Sequence, residues 1–121
     1  MRLYVPLFLL ALPLALAAQT VPPLTCPAGA HDFLRINIYN GKAGGEEYDL
    51  APDAERKSGR KVAQVWNLKG YRSMPIFVRC QYRGTDAVTN VSVPAEYRQC
   101  RFTFELDKQN EISGKPVFFC K

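Results

Sequence analysis

The sequence holds a single histidine, His31, and four cysteines, no two of them closer than 20 positions. A structural zinc site places two of its ligands within about four residues of each other, so no metal is expected. A C-x-x-C pair and a leftover cysteine are both missing, which removes catalytic thiol chemistry from the expectations. His31 stands beside Asp32, but neighbours on a strand point to opposite faces, and no nearby serine completes a triad. It reads as a surface histidine. No amphipathic helix of ordinary length is found either. From these absences the chain is expected to have no catalytic residue and no cofactor.

At the N-terminus, Arg2 is the only charge before a run containing Val5, Leu7, Phe8, Leu9, Leu10, Leu12, Leu14 and Leu16. The run ends at Ala15-Leu16-Ala17, a small-x-small cleavage signature, so residues 1–17 are read as a signal peptide. Pro6 and Pro13 interrupt it, and it falls short of the ~20 apolar residues that span a bilayer. No stable membrane anchor is expected. Pro23-Leu24-Thr25 also lacks the small residues that precede a lipid-modified cysteine. Residues 18–121 are therefore expected to be one exported domain, periplasmic or secreted. Losing Arg2 lowers the formal net charge of +5 by one and leaves a basic product suited to an acidic partner.

Cys26, Cys80, Cys100 and Cys120 are even in number in an exported chain, the pattern of a two-disulfide framework. Ile76, Val78, Cys80 and Tyr82 alternate with Phe77, Arg79, Gln81 and Arg83 and share one strand face; Cys100 is in phase with Phe102, Phe104 and Leu106. Two inward cysteines on strands joined by a short connection suggest Cys80 with Cys100, leaving Cys26 with Cys120. Strand-like segments lie at 33–39, 46–50, 61–68, 75–83, 88–93, 101–106 and 117–120. Residues 51–60 read as a charged loop or a single helical turn. About seven short strands without an ordinary helix predict an all-β fold, a small antiparallel sheet or sandwich.

Several of these pieces resemble a family of small exported proteobacterial proteins of unknown function. They are Cys26-Pro27, Tyr39-Asn40-Gly41, Leu50-Ala51-Pro52-Asp53, Trp66-Asn67-Leu68 and the pattern Cys80-Gln81-Tyr82-Arg83-Gly84-Thr85 with Pro94 and Cys100. The resemblance implies a periplasmic or secreted bacterial location and paired cysteines, and it carries no activity.

Arg56, Lys57, Arg60 and Lys61 form the densest basic run, and Arg83 follows in a turn; these five are the candidate binding residues. Tyr71, Phe77 and Tyr82 interleave with cations as in nucleic-acid surfaces, but export argues against nucleic acid as a partner. Loops 41–45, 52–60 and 83–86 are the expected contact segments. Trp66 is expected in the core. The chain thus reads as a non-catalytic binding module, such as an inhibitor or immunity-type protein against an envelope-acting hydrolase. The alternatives are an enzyme acting on envelope glycan through Glu46, Glu47 or Asp49, and a structural envelope protein.

Overall fold

Eight strands form in the computed structural model, which describes residues 2–4, 6 and 21–121. The expected cleavage signature at 15–17 lies outside the described residues. The strands are β1 (Phe33–Gly41), β2 (Glu47–Asp49), β3 (Ala54–Ser58), β4 (Lys61–Asn67), β5 (Ile76–Tyr82), β6 (Val88–Ser92), β7 (Gln99–Leu106) and β8 (Ile112–Cys120). A single 3-10 turn, Leu68–Tyr71, follows β4. Two four-stranded antiparallel sheets result, one in the order β2-β1-β5-β6 and the other β3-β4-β7-β8. The expected all-β architecture is what forms, with one strand more than the seven read from the sequence.

The sheets bury their inward residues against each other. Ile36, Ile38, Val78 and Cys80 come from the first sheet, and Trp66, Cys100, Phe102, Phe118 and Cys120 from the second. Fully burying a side chain of this size contributes about 1.5–3 kcal/mol. Trp66 is in the core as expected, and its indole Nε1 donates to the Leu50 carbonyl at 2.8 Å. A bulge between Phe33 and Arg35 shifts the phase of β1. As a result Phe33, rather than Leu34, packs on the core, edge-on to Phe102 at 6.0 Å.

The additional strand is β3, in the stretch read as loop or helical turn. Ala-Glu-Arg-Lys-Ser offers no apolar face, and all five residues are exposed. What makes it a strand is pairing: Ala54–Ser58 matches residues 65 to 61 of β4. Gly59 and Arg60 close the hairpin as a two-residue turn, with Gly59 at φ 61° in the first central position, where a type II′ turn calls for glycine. Charge along this edge also discourages pairing with other chains.

The disulfides join Cys26 to Cys80 and Cys100 to Cys120, not the pairs expected. The expectation treated β5 and β7 as neighbours, whereas β6 intervenes and the two strands belong to different sheets. Cys100 lies directly opposite Cys120. Gln99 and Lys121 exchange main-chain hydrogen bonds, so the cysteines occupy the closer, non-hydrogen-bonded position, with Cα atoms 4.0 Å apart. The segment before Cys26 does run beside Cys120: Leu24 and Cys120 exchange both main-chain hydrogen bonds, at 2.8 and 2.9 Å. Its cysteine then turns to Cys80 in the other sheet. The N-terminal segment thus links the two sheets, by hydrogen bonds to one and a covalent bond to the other.

Candidate functional site

With the inner faces spent on the core, any site must lie on an outer face, an end loop or a strand edge. On the outer face of the first sheet, Tyr39 of β1 opposes Phe77 of β5, and Asn37 opposes Arg79. The Tyr39 and Phe77 rings stack at 5.1 Å with planes 17° apart. The Arg79 guanidinium lies over both, its central carbon 4.8 Å from the Tyr39 centroid and 5.5 Å from that of Phe77. It donates two hydrogen bonds to the Glu47 carboxylate, at 2.6 and 3.0 Å, and a third from Nε to Asn90 Oδ1 at 3.0 Å. Gln81 donates to Asn37 beside it at 3.0 Å.

The Arg79 hydrogen bonds hold the Glu47 carboxyl below its ordinary value, and the Gly44 N–H adds to the effect. The same pair raises Arg79 above its own ordinary value. This bears on the glycan-acting alternative. A general acid for glycoside cleavage needs a raised carboxyl pKa, and Glu47 is shifted the other way. Glu46 accepts from the Tyr48 hydroxyl at 3.1 Å, and Asp49 stands opposite Tyr39 on the outer face. Among the described residues, no three of His, Cys, Asp or Glu gather closely enough to hold a metal.

The five candidate binding residues are divided between two places. Arg56, Lys57, Arg60 and Lys61 sit together on the β3–β4 hairpin, all exposed. Arg83 lies apart, and its Nη2 donates to the Ile112 and Gly114 carbonyls at 3.3 and 3.1 Å, tying the β5–β6 turn to β8. Loops 41–45 and 83–86 fall at opposite ends of the first sheet, separated by the length of β1, about 26 Å at ~3.3 Å per residue. His31 lines a shallow cavity of about 180 Å³ with Pro27, Tyr82, Thr85 and Thr89.

Sequence reasoning did not find the Arg79 cluster. Alternation did place Phe77 and Arg79 on the face of β5 opposite Cys80. Nothing local paired β5 with β1 or brought Glu47 of β2 to the same face.

Comparison with known proteins adds what the geometry leaves open. One relative is a protein of Azospirillum brasilense described as an uncharacterized 16.3 kDa protein in the trpG 5′ region. It is 30% identical over 76 residues, covering 60% of this chain and 51% of the relative. The chain thus spans about half the length of that relative. No solved structure matches the chain. Residues 28–121, which include all eight strands, match the family model described as type VI secretion system Tli immunity protein. The chain belongs to the type VI secretion system Tli immunity protein family.

Proposed function

We propose that this protein is exported to the periplasm and there binds and neutralises a type VI effector that attacks the cell envelope, acting by occlusion and not by catalysis. The observation that carries the reading is the family match across 28–121, the whole of the paired-strand domain. Two features of the fold support it. Two disulfides and a closed core make a rigid scaffold, which lowers the ordering cost of binding. The exposed cations Arg56, Lys57, Arg60 and Lys61 lie on one hairpin, Arg56 and Lys57 on opposite faces of β3, and they suit an acidic effector surface by steering encounter. Arg83 stands apart from them, bonded to the Ile112 and Gly114 carbonyls. Among the described residues no helix is long and apolar enough to cross a membrane.

The test is co-expression in a bacterial host of each envelope-attacking type VI effector of the source genome, directed to the periplasm, with either the full chain or a version lacking residues 1–17. Growth is expected to recover with the full chain alone. Equal rescue by the version without the leader refutes the periplasmic location, and no rescue by the full chain refutes the function.

A further inference from the structure

Among the described residues, four strands form the margins of the sheets: β2 and β6 in the first, β3 and β8 in the second. An edge strand offers unpaired main-chain N–H and C=O groups to any other strand, and proteins blunt such edges with charge, proline, short length or cover. Three of these four edges are blunted. β2 is three residues long and carries Glu47 and Asp49. β3 carries Glu55, Arg56 and Lys57. β8 has Lys115 and Pro116 in mid-strand, and Leu24 pairs with its end at Cys120. β6 uses none of these devices. It reads Val-Thr-Asn-Val-Ser, with no charge, no proline and no bulge in its pairing with β5.

Register identifies the free groups. The Val93 N–H donates to the Ile76 carbonyl at 2.9 Å, so the pairs that follow by twos, Val78 with Val91 and Cys80 with Thr89, are the hydrogen-bonded ones. Val88, Asn90 and Ser92 therefore turn their main-chain groups away from β5, and those groups have no partner among the described residues. All three residues are exposed, Val88 by 47%. Their side chains share the outer face with Arg79, whose charge is met by Glu47 at 2.6 Å. β6 is thus an uncharged strip on a chain of net charge +5.

Such an edge takes another extended backbone, and its free groups fit a second copy of the same strand. With two copies antiparallel and Asn90 opposite Asn90, Val88 of each lies against Ser92 of the other, and the free groups close a ladder of about six hydrogen bonds. On the core-facing side Thr89 meets Val91 of the second copy, a β-branched cross-strand pair. Asn90 Oδ1 accepts from Arg79 Nε at 3.0 Å, while its Nδ2 has no partner among the described residues. Across the axis each Nδ2 donates to the other Oδ1, and a paired asparagine at one position fixes register.

We propose that β6 pairs with β6 of a second copy of this chain, antiparallel about a two-fold axis at Asn90, joining the two β2-β1-β5-β6 sheets into one. An edge of this length buries well under the ~800 Å² per partner of a stable complex, so the dimer forms at high protein concentration. The proposal is independent of the immunity reading.

Charge pairs set across the axis test it. The full sequence is expressed in a bacterial host, and the product is purified as the host processes it. Sedimentation equilibrium from about 10 µM to about 1 mM is expected to show monomer and dimer in exchange. Val88→Lys with Ser92→Lys places like charges opposite each other and is expected to weaken dimerisation by about 10-fold or more. Val88→Lys with Ser92→Glu places opposite charges there and is expected to leave it within about 3-fold. In the unmodified chain, hydrogen exchange of the Val88, Asn90 and Ser92 amides is expected to slow by about 5-fold or more over the same range, while the β3 amides do not change. That readout stands even if a variant fails to fold. A monomer at every concentration overturns the proposal, as do equal effects of the two double variants and exchange at β6 that ignores concentration. So does protection of these amides only when an envelope-attacking type VI effector of the source genome is added, which gives the edge to a foreign strand.

Discussion

Replacing Cys26 and Cys80 together by alanine should remove the largest single stabilising constraint in the domain. The bridge spans 54 positions, and closing a loop of that length in the unfolded chain contributes about 4.2 kcal/mol in the chain-entropy model. Cys100–Cys120 spans 20 positions and contributes about 3.3 kcal/mol on the same model. Cys80 is fully buried, so losing its sulfur adds roughly 1 kcal/mol of packing deficit. A loss of about 5 kcal/mol compares with a total of about 5–15 kcal/mol for a domain of this size and lowers the melting temperature by roughly 20 °C or more. Trp66 is the only tryptophan and is buried, so its fluorescence reports unfolding in urea. A loss below about 2 kcal/mol would refute the reasoning. The connectivity is checked by a non-reduced tryptic digest. Fragment 80–83 should be recovered joined to the fragment ending at Arg35, and 99–101 joined to 109–121.

Gly41 adopts φ 118°, and a Cβ there would lie 1.9 Å from the Glu46 carbonyl oxygen, so Gly41→Ala should cost about 3 kcal/mol or more and shorten the β1–β2 pairing seen by hydrogen exchange. Glu47 is held below its ordinary value of 4.5, so its pairing with Arg79 stabilises the fold above that pH and is lost as pH falls through the lower folded value. Glu47→Gln should therefore flatten the acid limb of a stability profile below about pH 4.5, and profiles that run parallel would count against the pairing. Trp66→Phe leaves the Leu50 carbonyl without its donor and should destabilise by about 1–3 kcal/mol in thermal unfolding followed by circular dichroism.

Local alternation sufficed for the strands whose one face is apolar. Ile36, Ile38, Val78 and Phe102 could be assigned inward because burial and period two coincide in β1, β5 and β7. Export and an even cysteine count implied disulfide bonding, and the crowding of Arg56, Lys57, Arg60 and Lys61 was visible before any fold was known. By itself, then, the sequence determined a small all-β domain with paired cysteines and one basic segment. Three things were decided by tertiary structure. β3 exists through its pairing with β4, because its own residues have no apolar periodicity. Disulfide partners follow from which strands share a sheet, and β5 and β7 do not. Cations are separated into free and engaged by contacts distant in sequence: Arg79 meets Glu47 across 32 positions and Arg83 reaches Gly114 across 31, while Arg101 is left facing outward. The physical reason is common to all three. Period two fixes which face of a strand a side chain occupies, but non-local pairing decides what lies across from it.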